Sequence, residues 1–262
     1  MNLIQRIISK LKWVRKNYVF CLWRTLYFNF RMLPFKQAIH LPVVFYGKIE
    51  FWELNGKVEI VGPCHFAMVK WGAKRDGFSP KNIPGSLFLT YDAKWLIRGD
   101  VSINPGCCLR IIGTLEFSDK SAIGSRSIVA CNNYVYIGYN SRIAFNSFIS
   151  DTNFHYTDID GKVYPKEGCV RIGDNCWIGN NTSLAKGAVI PNNSIVAARS
   201  LVNKDFSSDG ENILLAGLPA KVKMKGIRRI FDTTLEARLQ NYFAQHPGEE
   251  FYLLSESEKE IL

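Results

Sequence analysis

Between Ile172 and Val202 an aliphatic residue returns at every sixth position: Ile172, Ile178, Leu184, Ile190, Val196 and Val202. The fifth place of each complete six is small, at Cys176, Thr182, Ala188, Ser194 and Ser200. A period of six fits neither the 3.6 of a helix nor simple strand alternation. It is the period of a parallel β-helix, in which each six supplies one short strand and one corner. Three sixes complete one triangular coil. Ile172 is therefore expected to stack on Ile190, Ile178 on Val196 and Leu184 on Val202, about 4.8 Å apart. The aliphatic side chains face the interior, and the small ones fit beside the corners. Gly173, Asn175, Gly179, Asn180, Asn181, Gly187, Asn192 and Asn193 suit the corners because Gly and Asn tolerate positive φ.

The same pattern reads upstream as Ile97, Ile103 and Leu109, then Phe117, Ile123 and Val129, then Ile137, Ile143 and Ile149, with a slip of two residues between the triplets. Val101, Cys107, Ser121, Ser127, Ser141 and Ser147 take the small places. Residues 43–75 alternate well enough for first, irregular coils, and 76–86 read as a corner or excursion. The pattern breaks at 150–169, where Asp151, Asp158, Asp160, Gly161 and Pro165 cannot continue the walls. That stretch must project from a corner, and a long loop held by rigid coils is where catalysis tends to sit. It contains His155.

The two ends differ from the repeat. Residues 1–36 place Leu3, Ile7, Ile8, Leu11, Val14, Tyr18 and Leu22 at helical spacing. Residues 1–49 hold nine Lys or Arg and no acid, which accounts for most of the formal charge of +10. Arg24 and Arg31 interrupt the aromatic run 17–33, so no uncharged stretch reaches the ~18 residues of a spanning helix. Two readings stand: an interfacial helix drawn to anionic lipid, or a helical cap on the open end of the solenoid. On the first, residues 1–33 are expected to be removable without unfolding the coils. Thr233 with Glu236 reads as a capping box opening a helix at about 234–245, and an acidic final helix follows Glu249. The boundaries are then 1–42 for the basic aromatic segment, 43–218 for the β-helix with its loop at 150–169, and 219–262 for the tail.

Composition removes several classes of function. Seven cysteines with no CxxC pair and no signal peptide point to a reducing cytoplasm. The chain is expected there, with possible peripheral contact with the inner face of the membrane through residues 1–33. Cys107 and Cys176 occupy small interior places and read as packing residues. His40, His65, His155 and His246 lie tens of residues apart, without the paired spacing of a metal site. No metal is expected. The basic charge comes with no nucleic-acid motif, so no nucleic acid is expected either.

Taken together, IGDNCWIGNN, IPNNSIVAARSLVNKD and AGLPAKV resemble the carboxy-terminal signature of the left-handed β-helix hexapeptide acyltransferases. Within that family they are most similar to sugar O-acetyltransferases of the galactoside and maltose type. The resemblance implies an all-β fold, a left-handed parallel β-helix with helical segments at both ends, although parallel crossovers in general are right-handed. It implies acetyl-CoA as donor, a saccharide hydroxyl as acceptor, and a homotrimer with sites between subunits. His155 would be the general base, with Asp151 or Asp158 accepting its second ring proton. Trp177 would wall the acceptor or pantetheine site, and Ala197 and Ala198 would offer backbone amides to the pantetheine arm. Lys204, Lys221 and Lys223 would meet the nucleotide end. The sequence departs from the family at Arg199, where Gly is usual, at Leu218, where Asn is usual, and at Leu184–Gly187, where Leu-Pro-Gly is common. N-acetyl transfer to an amino-sugar nucleotide and a non-catalytic membrane-associated β-helix scaffold are the alternative functions.

Overall fold

The computed structural model describes residues 20–73 and 83–260, together with Gln5 and Gly77. The expectations for the stretch before residue 20, and for most of the excursion at 76–86, fall outside the described residues. Strands Val43–Phe45, Ile49–Leu54 and Lys57–Ile60 begin three separate sheets. The next three, Val69–Trp71, Gly85–Leu89 and Lys94–Ile97, lie parallel on them in the same order. The rule continues up the chain, each strand pairing with its predecessor one coil earlier. The three sheets are three walls of a parallel β-helix, called here walls one, two and three in that order.

The interior columns follow the sequence pattern. Ile97, Phe117, Ile137, Ile172 and Ile190 stack in wall three. Ile103, Ile123, Ile143, Ile178 and Val196 stack in wall one. Leu109, Val129, Ile149, Leu184 and Val202 stack in wall two. All are buried. The slip of two residues is a longer corner between walls two and three, at Ile111–Thr114 and Cys131–Tyr134. Gly113 is needed there because a Cβ would lie 2.2 Å from the carbonyl oxygen of Asn133. Cys107 and Cys176 are fully buried, and burial pushes both thiols up to about 12. They pack.

The corner residues serve for different reasons. Asn175, Asn181, Asn193 and Gly187 have positive φ, as does Arg199, which adopts the conformation without being Gly or Asn. Gly179 does not; a Cβ there would lie 2.5 Å from the amide nitrogen of Ala198. Asn192 acts through its side chain, whose Oδ1 accepts from the Asp174 amide at 2.8 Å. Asn140, Asn175 and Asn193 form a ladder, donating in turn at 3.0 and 3.3 Å, and Asn193 then donates to Glu211 at 3.3 Å.

The interior of the first coils is filled by aromatics. Phe28, Phe45, Trp71 and Trp95 are all buried, with the two indole rings edge-to-face at 6.2 Å. Phe28 comes from helix Leu22–Met32, which covers the open end of the solenoid. An uncovered first strand would present unpaired backbone groups. Asn29 Nδ2 donates to the Val43 carbonyl at 2.7 Å, and its Oδ1 accepts from the Val43 amide at 3.1 Å. The Phe45 amide donates to Thr25 Oγ1 at 3.2 Å, and the Phe45 carbonyl accepts from the Cys21 amide at 2.8 Å. Arg24 extends the cap to wall two by donating to the Ile49 carbonyl at 2.7 Å. Residues 21–33 therefore form a cap, and removing 1–33 would take these contacts from the first coil. The opposite face of this helix leaves Trp23, Tyr27 and Phe30 exposed.

At the far end, strand Ile213–Gly217 continues wall one in parallel, and Ala220–Lys225 turns back on it antiparallel. Helix Thr233–Gln245 follows, capped by Asp232, whose side chain accepts from the Leu235 amide at 2.6 Å. The expected Thr233–Glu236 box gives way to a single Asp232 cap, because a carboxylate supplies the acceptor that Thr233 would have offered and the residue three on is Leu235, which can return no bond. Helix Glu256–Glu260 is the short acidic element at the end. No helix among the described residues is long and apolar enough to cross a membrane.

Phe28→Ala is expected to destabilise the fold by about 3–5 kcal/mol, and Asn29→Ala by about 1–3 kcal/mol through orphaned edge groups of Val43. Urea unfolding measures both. Midpoints unchanged from wild type would show that the coils do not need the cap.

Candidate active site

The repeat is interrupted where Phe148–Ser150 leaves wall two and Cys169–Ile172 enters wall three. This is the corner that carries two extra residues in the earlier coils, and the inserted arm takes over its hydrogen bonds. Asp151 is fully buried, and its carboxylate accepts from the amides of Asn132 and Asn133, each at 2.7 Å. Burial pushes its carboxyl above the usual range, and those two amides oppose the shift. The base is zipped shut by Gly168 donating to the Asp151 carbonyl at 2.8 Å and Asn153 donating to Lys166 at 2.9 Å. Lys186, in the next coil, donates to the Pro165 carbonyl. Beyond this base the arm ends in a hairpin, Asp158–Ile159 against Lys162–Val163, turned by Asp160 and Gly161 at positive φ.

His155 lies just outside the zipped base, with its backbone amide donating to Asn153 at 2.7 Å and its side chain exposed. Among the described residues the imidazole forms no ion pair. Asp151 was expected as one of two partners, but both its oxygens are committed to the neighbouring coil. Asp158 lies on the exposed hairpin of the same arm. Around His155 the arm exposes Phe154, Tyr156, Ile159, Val163 and Tyr164.

The remaining candidates fall into separate groups. Trp177 sits on wall one, facing outward and partly exposed, in register between Arg142 and Ile195. Lys221 and Lys223 lie exposed on Ala220–Lys225, the last strand of that wall. Lys204 caps the corner between walls two and three, its carbonyl accepting from Val189 at 3.2 Å and its ammonium 4.6 Å from the centre of the Phe206 ring. That corner, one coil beyond Lys186, is on the side of the arm. Ala197 and Ala198 form the corner between walls one and two. The Ala197 amide is not free, since it donates to the Leu215 carbonyl at 2.8 Å. This corrects half of the expected amide pair and leaves Ala198, which is exposed. Within one chain, the topology keeps the base of the His155 arm and the Trp177–Lys221–Lys223 face at different parts of the prism.

Two residues that no motif pointed to stand beside Trp177. The Arg229 guanidinium lies 5.2 Å from the indole and 4.8 Å from the Phe231 ring. Arg142 precedes Ile143 as Trp177 precedes Ile178, so the repeat itself marked its outward place. Arg229 carried no such signal, because the tail returns to the wall only in the folded chain. Among the described residues, no three His, Cys, Asp or Glu side chains gather as metal ligands.

Three walls of six-residue steps with one arm at a corner define a hexapeptide-repeat architecture. Residues 169–204 match the family described as bacterial transferase hexapeptide (six repeats). The chain is 32% identical to WbbJ of Escherichia coli (strain K12), a protein provisionally named a lipopolysaccharide biosynthesis O-acetyl transferase, over 49% of this chain and 74% of that one. It belongs to the hexapeptide-repeat transferases. It is also 33% identical to a galactoside O-acetyltransferase of the same organism, over 41% of this chain and only 50% of the relative. The solved structure of the polySia specific acetyltransferase NeuO shares 19% identity, covering 77% of this chain and 93% of that one, with a TM-score of 0.46.

The two carboxylates of the arm are expected to behave differently. Asp151→Ala orphans two buried amides and should cost about 1–3 kcal/mol in urea unfolding. Asp158→Ala, on the exposed hairpin, should stay within about 0.5 kcal/mol. Equal effects would show that Asp151 does not anchor the arm.

Proposed function

We propose that the protein is an O-acetyltransferase that moves acetyl from acetyl-CoA to a sugar hydroxyl in the synthesis of a surface polysaccharide. The observation that carries this reading is His155, held exposed on a pinned arm that interrupts an otherwise regular hexapeptide solenoid. The named relatives support the acetyl donor and the saccharide acceptor.

A sugar hydroxyl is scarcely ionised at neutral pH, so a base must take its proton as its oxygen attacks the thioester carbonyl. A neutral imidazole suits that task. Collapse of the tetrahedral intermediate breaks the carbon–sulfur bond and expels the thiolate, which takes the proton back from the imidazolium. No covalent enzyme intermediate is required. The Cys176 and Cys107 thiols, buried and raised to about 12, are unsuited to one. Asp158 is the carboxylate left to orient His155, since Asp151 is committed. Trp177, the Ala198 amide, Lys204, Lys221 and Lys223 form the donor side in this reading, and the coils are left-handed as in the family.

The active unit in this reading is a homotrimer. The arm bearing His155 exposes five large apolar side chains, Phe154, Tyr156, Ile159, Val163 and Tyr164, which a second copy would bury. Lys204 apart, the donor-side residues lie on another part of the prism, so one chain's arm would complete the site on its neighbour's wall.

His155→Ala is expected to lower kcat by about 10²-fold or more, with acetyl-CoA affinity little changed. His155→Asn should be nearly as poor, because it keeps polarity without basicity. Thiol release from acetyl-CoA over a panel of hydroxyl and amino acceptors measures this and separates O- from N-transfer. Turnover near wild type in His155→Ala would place the base elsewhere.

Sedimentation of the wild type should give a trimer, and Ile159→Asp with Val163→Asp should give a smaller, inactive species. A stable and active wild-type monomer would remove the shared site.

A further inference from the structure

The outward column of wall one runs through Lys70, Ser102, Ala122, Arg142 and Trp177 on successive strands. Lys120 stands at the corner beside it, its ammonium donating to the Tyr139 hydroxyl at 3.0 Å. After strand Ala220–Lys225 the chain folds back over this corner. Arg228, Arg229, Phe231 and Asp232 there enclose a cavity of about 370 Å³ with Lys120 and Tyr139. A second cavity of about 180 Å³ shares Lys120, runs past Arg142 and reaches Lys70. The two form one path down the face of the wall.

Five cations line this path, and none of Lys70, Lys120, Arg142, Arg228 or Arg229 forms an ion pair among the described residues. Three acids stand beside it, Asp100, Asp119 and Asp232, and after its bond to Tyr139 the charges of Asp119 and Asp100 hold the Lys120 pKa up. Asp232 caps its helix, and Asp100 lies 3.3 Å from His65 Nε2. The cations are also held in place. Arg229 stacks between Trp177 and Phe231, and Arg142 donates to the Lys120 carbonyl. Burial and then the nearby charge of Arg229 pull the pKa of Arg142 down. Five oriented cations kept close to one another outnumber the three acids beside them, and that surplus of positive charge forms a site for an anion.

The shape selects among anions. A lone phosphate would need one cavity. Here the cations extend from Arg229 at Trp177 to Lys70, four strand spacings or roughly 19 Å along the prism. That length asks for an extended ligand with negative charge at intervals.

We propose that this face of wall one binds an anionic saccharide chain, the acidic acceptor of the transfer. The acceptor role rests on the acetyl-transfer reading above; the binding does not. The phosphates of acetyl-CoA are the other source of suitable charge, and they are tested beside the saccharide.

Calorimetric titration with oligogalacturonate, hyaluronate oligomers, a neutral maltooligosaccharide and coenzyme A tests the proposal without turnover. The wild type should bind at least one acidic oligomer and not the neutral one. Lys70→Gln, and separately Lys120→Gln, should weaken acidic-oligomer binding by about tenfold or more and leave coenzyme A affinity unchanged. Lys48→Gln/Lys57→Gln removes two exposed charges that line neither cavity and should change nothing. Circular dichroism melts matching the wild type establish that the variants are folded. Three results would overturn the proposal: no acidic oligomer bound by the wild type, equal weakening in the Lys48/Lys57 variant, or loss of coenzyme A binding instead. Because binding is read directly, a failed His155 test would leave this result standing, and the reverse also holds.

Discussion

A strand of two or three residues cannot hold itself, and every strand here depends on the backbone of the coils on either side. The Trp177 amide donates to the Ser194 carbonyl at 2.9 Å, and Ser183 to Ser200 at 2.9 Å, coil after coil. Because parallel pairing satisfies these groups only in register, each aliphatic must lie over the one before. A slip of one residue would turn Ile178 outward and Trp177 inward. The interior columns and the hydrogen bonds thus enforce one another. Such a stack has no natural end, which makes its two termini the costly places. Helix Leu22–Met32 meets that cost at one end with Thr25 and Asn29, and the antiparallel return of Ala220–Lys225 ends wall one at the other.

The same dependence explains where the prism admits variation. A wall residue has neighbours above and below, whereas a corner can open outward if its few polar groups are met. The long arm leaves from such a corner, and Asp151 supplies the acceptors for Asn132 and Asn133 that the broken coil would otherwise lack. The zipped base and exposed tip hold the His155 side chain out from the wall. The carboxy-terminal tail uses a second corner in the same spirit, returning over the Asn140–Asn175–Asn193 ladder to bring Arg229 onto Trp177.

The columns of Ile172, Ile178 and Leu184 were legible in the sequence because a narrow interior accepts one kind of residue at one spacing. The slip between triplets and the arm at 150–169 were legible for the same reason, as departures from that demand. Less could be read near the amino terminus, where the interior takes Phe45, Trp71 and Trp95 and the repeat blurs. The corner residues looked alike in the sequence, yet Asn175 serves by its φ, Gly179 by its lack of a Cβ and Asn192 by its side-chain oxygen.

By itself, then, the sequence determined the solenoid, its stacking and the place where it breaks, since these follow from spacing along the chain. Partners distant in sequence were left to the tertiary structure. Asn29 caps Val43 rather than facing solvent, Ala197 spends its amide on Leu215, and Asp151 turns to the coil below rather than to His155. The meeting of Arg142, Arg229 and Trp177 was decided the same way. Hydrophobic periodicity records which side of the backbone faces inward, but a polar side chain's partner depends on which coil arrives beside it. Only the folded chain sets that.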